Sequence, residues 1–204
     1  MATLREAQKR MTRELLLERG LALFSDKGYH ATTIEDIAAA AGTTRTTFYL
    51  HFTSKSELLA ELLKRIAGEV IGADETKLED CVASGDPAKL RGWLDRNFDN
   101  WEKLRPYMSA AYEAAPTDAV IHQSLIAWFE ETITSMQRGL DRSNRYPEPD
   151  RRARAVLAFG QFEYTARRYF SLGWRTPREV MLRNMTDSWA HLLTGPDTRS
   201  QSST

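Results

Sequence analysis

Ala41-Gly42-Thr43-Thr44-Arg45-Thr46-Thr47-Phe48-Tyr49-Leu50-His51-Phe52 is the stretch on which the architecture turns. A glycine stands where the chain can bend, and Phe48 and Phe52 lie four residues apart, on one face of a helix. Just upstream, Thr33 opens a segment in which Ile34, Ile37, Ala38 and Ala41 recur at i, i+3, i+4 and i+7. Two short helices joined at a glycine have the proportions of a helix-turn-helix, whose second helix lies across the major groove of duplex DNA. Thr44, Arg45, Thr46 and Thr47 open that second helix, where backbone N–H groups and the positive end of the dipole point at the duplex. Arg45 can fork onto guanine O6 and N7, and the threonines offer hydroxyls to phosphate and methyls to thymine. Thr33, Tyr49, His51 and Lys55 surround this face as phosphate ligands. Each also has an ordinary structural reading: Thr33 as a cap, Tyr49 as a core edge, His51 as a surface imidazole, Lys55 as a solvated lysine.

Outward from this centre, helical periodicity dominates and strand alternation is nearly missing, which makes the chain all-α. Leu15, Leu16, Ala22, Leu23 and Phe24 mark a helix from about Thr12 to Lys27, with Gly28 at its end. Ser54-Lys55-Ser56-Glu57 reads as a capping box before Leu59, Leu62, Leu63, Ile66 and Val70. The stretch from Gly72 to Pro87 reads as a loop or a fraying helix end. Leu90, Trp93, Leu94, Phe98, Trp101 and Leu104 keep helical spacing up to Arg105-Pro106, and Tyr107 to Ala115 reads as a separate short helix. A longer helix follows with Ile121, Leu125, Trp128, Phe129, Met136 and Leu140. Asp150 is placed to cap the next one, which is apolar on more than one face and so calls for two partners. Thr176-Pro177-Arg178-Glu179 reads as a capping box with proline at the first position of the last helix.

The chain has 204 residues, enough to bury a core without staples. As the single cysteine, Cys81 cannot form an intrachain disulfide, which suits a reducing compartment. Lys plus Arg and Asp plus Glu both number 28, which excludes a polybasic, DNA-coating protein. Residues 1–56 hold eight Lys or Arg against six Asp or Glu, so contact with several phosphates calls for two copies of the head. The hydrophobic fraction of 42%, with mean hydropathy −0.50, belongs to a folding globular chain. No apolar run is long enough to span a membrane and no signal-peptide core opens the chain, so a cytoplasmic location is expected. An enzyme is not expected: His30, His51, His122 and His191 are scattered, no Cys/His spacing suits zinc, and no Gly-rich phosphate loop follows a strand. No cofactor or metal is called for.

The runs Gly28-Tyr29-His30-Ala31-Thr32-Thr33-Ile34-Glu35-Asp36-Ile37-Ala38 and Ala41 through Leu59 resemble the N-terminal domain of the tetracycline-repressor (TetR) family. The resemblance covers about the first 65 residues; Thr46, Leu50 and Thr53 depart from the common pattern. It implies a homodimeric, all-helical transcription regulator, usually a repressor, whose C-terminal domain binds a small molecule and whose last two long helices form the dimer interface. By position, Thr33, Thr44, Tyr49, His51 and Lys55 would contact the DNA backbone, and Arg45, Thr46 and Thr47 would face the bases. The expected division is a helix-turn-helix domain at 1–56, a helical effector-binding and dimerisation domain at 57–195, and a disordered tail at 196–204.

In the larger domain Trp93, Trp101, Tyr107, Tyr112, Trp128, Phe129 and Phe162 are candidates to line an apolar cavity for a small apolar or aromatic effector, set against plain core packing. Phe159, Phe170, Met185 and Trp189 are candidates for the dimer interface. The expected mechanism has two recognition helices roughly 34 to 36 Å apart on a palindrome, with the effector moving the long helix after Ser56 as a lever. The competing reading is a helical protein-binding adaptor without DNA specificity.

Overall fold

The computed structural model describes residues 4–72 and 76–195. Within them lie helices α1 (Leu4–Lys27), α2 (Ile34–Ala40), α3 (Arg45–Tyr49), α4 (Lys55–Gly72), α5 (Leu78–Ser84), α6 (Pro87–Ala114), α7 (Ala119–Ser143), α8 (Glu148–Ser171) and α9 (Arg178–Leu193). There is no strand among the described residues. The tail expected to be disordered, 196–204, lies outside them.

Packing divides the described residues into two compact units, those within 4–71 and 104–127 and those within 72–103 and 128–195. In the first unit, Leu16, Leu17 and Phe24 of α1 bury with Ile37, Phe48, Phe52, Leu58, Leu59 and Leu62. Gly20 permits this approach, since a Cβ there would lie 2.8 Å from Leu58 Cδ2. In the second unit Leu90, Trp93, Leu94, Phe98, Leu140, Ala155, Ala158, Leu182 and Trp189 form the interior, and α8 packs along α9.

Four local readings change. Helix α1 starts at Leu4, two turns earlier than the apolar stripe implies. The stretch read as a loop contains α5, because Leu78, Cys81 and Val82 sit at i, i+3 and i+4 and all three are buried. Pro106 does not end a helix, and α6 runs through it. A mid-helix proline costs about 3 kcal/mol, and the buried neighbours Leu104, Met108, Ala110 and Ala111 hold the helix across it. Finally, α9 is preceded by Pro177 with no side-chain cap, and α8 by Pro147, which leaves Thr176 and Asp150 without the capping roles expected of them.

Candidate nucleic-acid interface

The bend between α2 and α3 is set by hydrogen bonds. Gly42 takes φ +64°, a conformation glycine adopts without penalty. Gly42 N donates to Ala39 O at 3.0 Å and Thr43 N to Ala38 O at 2.9 Å, the paired bonds of a Schellman stop. Thr44 then caps α3, its hydroxyl accepting from Thr47 N at 3.1 Å. The five-residue α3 is therefore fixed at its start by a cap and on its inner face by the fully buried Phe48.

At the start of α2, Thr33 caps with its hydroxyl on Asp36 N, and its own N–H donates to Asp36 Oδ2 at 2.9 Å. Lys27 Nζ meets the same carboxylate at 2.5 Å. The Lys27 ammonium, followed by the Thr33 donors, holds the Asp36 carboxyl far below the usual carboxylate range.

This scaffold leaves Thr44, Arg45, Thr46 and Tyr49 exposed on α3, with Leu50 beside them 70% exposed. Thr47 is half-buried, its hydroxyl 3.0 Å from that of Thr44. Arg45 Nη1 lies 2.5 Å from Glu35 Oε1, a pairing invisible in the sequence because it joins two helices across the bend. His51 is half-buried; its Nδ1 has no hydrogen-bond partner among the described residues. Burial, then the charges of Lys9 and Arg13, pushes its pKa down and favours the neutral imidazole.

Lys55 is committed inward. Its ammonium donates to Tyr29 O at 2.7 Å and Thr32 O at 2.9 Å and lies 4.3 Å from the centroid of the Tyr29 ring. It thus ties the start of α4 to the loop that launches α2. Burial lowers its pKa, against the pull of the Glu113 and Asp118 carboxylates.

A second anchor of the head also escapes sequence reading. Glu113, near the end of α6, accepts from Tyr29 N and His30 N, both at 2.9 Å. Asp118 accepts from the Tyr29 hydroxyl at 2.9 Å and from Ser56 Oγ. Burial raises the Tyr29 phenol to about 12, so it remains a donor.

The remaining candidates fall in different places. Trp93 stacks on Trp189 at 5.5 Å, while Phe162 meets Trp93 and Trp101 edge-on at 5.5 and 6.0 Å. Phe129 packs on Phe159 at 5.2 Å. These and the half-buried Trp128 belong to the second unit, whereas Tyr107 and Tyr112 belong to the first. Of the residues named for a dimer interface, Trp189 is fully buried, its Nε1 donating to Ala158 O at 3.0 Å. Met185 and Phe159 are buried with it, and Phe170 is half-buried against Phe98 at 5.0 Å. The apolar side chains that α8 exposes are Val156, Leu157 and Tyr164. Among the described residues no His, Cys, Asp or Glu cluster has a metal-holding arrangement, and no helix is long and apolar enough to cross a membrane.

Residues 16–62 match the model of the bacterial regulatory proteins of the tetR family. The chain is 38% identical over 99 residues to the HTH-type transcriptional repressor KstR2 of Rhodococcus jostii, which is 48% of this chain and 41% of the relative. Over 99 residues it is 44% identical to KstR2 of Mycobacterium tuberculosis, covering 48% of this chain and 42% of that one. The chain therefore spans well under half the length of these relatives. In fold it is similar to the structure of SmeT with triclosan, at TM-score 0.67 and 24% identity over 87% of this chain and 91% of that one. Matching head and bend make residues 16–62 similar to the bacterial regulatory proteins of the tetR family, and the all-helical body is similar in fold to SmeT.

Proposed function

We propose that this chain is a sequence-specific DNA-binding repressor, acting in the cytoplasm as a homodimer on a palindromic operator and released by a small apolar or aromatic effector. The observation that carries this reading is the Thr44-capped α3, which holds Arg45, Thr46 and Tyr49 exposed on a helix braced from behind by Phe48. Arg45 and Thr46 read base edges; Thr33, Thr44, Thr47, Tyr49 and His51 approach the phosphates. Lys55 serves this interface chiefly by holding the α1–α2 loop in place, a role its three carbonyl contacts support.

The dimer forms along α8 and α9. Leu157 and Tyr164 supply its apolar contacts, beside a groove lined by Asp150, Ala153, Arg154, His191 and Leu192. Trp189, Met185 and Phe159 support these helices from within. The effector enters the second unit near Trp101, whose buried indole N–H has no partner among the described residues and can donate to an acceptor on an otherwise apolar ligand. The long helix after Ser56 then moves as a lever.

Selection of bound duplex from random fragments tests the reading. A palindromic consensus is expected, and Arg45→Ala should weaken binding by about 1–3 kcal/mol and flatten preference at one position per half-site. A protein that enriches no sequence, or binds one with no symmetry, overturns it.

A further inference from the structure

The Arg45 guanidinium is held from two sides. Nη1 meets Glu35 Oε1 at 2.5 Å. Nη2 donates to the Tyr49 hydroxyl at 3.4 Å, and Cζ stands 5.6 Å from the centroid of that ring. Glu35 is the second residue of α2, Arg45 the first of α3 and Tyr49 the last. The bracket therefore spans both helices of the motif and aims the guanidinium. A guanidinium has five N–H donors in a planar fork; the bracket occupies two, and the Arg45 side chain is 61% exposed. The adjacent carboxylate, Asp36, is already taken by Lys27 and Thr33, so the two acidic residues have separate work.

On the reading of α3 as a base-reading helix, we propose that Glu35 is the residue that makes Arg45 selective: it holds the guanidinium for guanine and cancels the charge that would otherwise grip any phosphate. The two kinds of ligand ask different things of Arg45. A phosphate at any sequence attracts its net charge. A guanine edge is uncharged and accepts two N–H bonds in a fixed geometry. With Glu35 in place the charge is offset and the donors remain, so the pair survives against guanine. Reaching for phosphate would strand Glu35 or bring its carboxylate up to a second anion, and like charges brought together at an interface are disfavoured. Glu35 discriminates by penalising the wrong ligand as much as by orienting the right one.

The test uses the full-length protein with the operator found by selection and a scrambled duplex of equal length, measured by fluorescence anisotropy across a salt series. Glu35→Gln keeps the size and an accepting oxygen but removes the charge; circular dichroism checks that its helices are retained. Its affinity for scrambled duplex should rise about three-fold, the operator-to-scrambled ratio should fall about ten-fold, and repeated selection should show a weaker guanine preference. In an Arg45→Ala background the same change at Glu35 should leave that ratio unaltered, because Glu35 acts through Arg45. An unchanged ratio and consensus in Glu35→Gln overturns the inference while leaving the proposed function standing. So does an equal rise in scrambled-duplex affinity in the Arg45→Ala background, which would make Glu35 a general repulsive charge. A wild-type protein that prefers no duplex overturns both.

Discussion

Asp118 Oδ2 accepts the Tyr29 phenol at 2.9 Å, so the entrance to α7 is bonded to the loop that sets α2 in place. Ser56 Oγ donates to the same oxygen, bringing the first turn of α4 into the knot. Replacing Asp118 by Ala removes the acceptor shared by two hydroxyls, which keep only each other at 3.1 Å, together with the acceptor of the Val120 and Ile121 N–H groups, and should destabilise the protein by about 1–3 kcal/mol. Urea denaturation followed by circular dichroism reads this directly; an unaltered midpoint would mean that water serves the hydroxyls equally well.

The same knot should make the head acid-sensitive. Glu113 is held below the usual carboxylate range by the His30 N–H first, with the Tyr29 N–H adding to it against burial. Burial pushes the Asp118 carboxyl up, but the Ser56 and Tyr29 hydroxyls and the N–H groups of Ile121 and Val120 outweigh it, leaving it lowered. A carboxylate with a lowered folded pKa contributes its full stability above the unfolded value, near about 4, and loses it as pH falls through the folded value. Stability should therefore drop as pH falls below the unfolded carboxylate value and through the lower folded values, and a Glu113→Gln, Asp118→Asn variant should lose part of that dependence. Equal pH slopes in the two proteins would contradict the assignment.

Lys55→Ala should cost stability even without DNA. Three donors leave the carbonyls of Tyr29, His30 and Thr32, and a cation leaves the Tyr29 ring. A loss of about 1–2 kcal/mol in thermal unfolding is expected. DNA affinity should fall similarly for all sequences, since the loop carrying Thr33 is loosened. Unchanged stability with weaker binding would show the ammonium to be a phosphate ligand instead.

Two classes of substitution separate the surface of α8 and α9 from their interior. Leu157→Glu and Tyr164→Glu replace exposed side chains, at 58% and 61% exposure, and should yield folded monomers in light scattering. Trp189→Arg strands a charge where the indole is 0% exposed and should prevent folding altogether. A Leu157→Glu, Tyr164→Glu protein that stays dimeric would move the interface elsewhere.

Gly139 supplies a steric test in α7. A Cβ there would lie 2.6 Å from Glu79 O and 2.7 Å from Val82 Cβ on α5, and the first of these is backbone and cannot turn aside. Gly139→Ala should destabilise by about 1–3 kcal/mol in chemical denaturation despite alanine's better helix propensity. A stabilised variant would mean that α5 can shift.

Short-range signals carried the helix-turn-helix into view from sequence. Gly42 at the bend, the Thr33 cap and the Phe48–Phe52 pair act within a few residues of one another, and each could be matched to a local geometry; the Thr44 cap came only with the structure. Most of the long helices were legible for the same reason, but the apolar stripe starts α1 two turns late, Pro106 reads as a break that splits α6 into two helices, and the short apolar triplet at Leu78, Cys81 and Val82 gives too few turns to declare α5. What folding alone decided joins residues far apart along the chain. Tyr29 meets Glu113 across 84 positions, Lys55 turns onto a loop 23 to 26 positions upstream, and Glu35 finds Arg45 around a bend. Whether an aromatic such as Trp189 faces neighbour or solvent depends likewise on which helix packs beside it, and Pro106 is carried through α6 by buried neighbours. Periodicity assigns a residue to a face; only the assembled helices determine what that face meets.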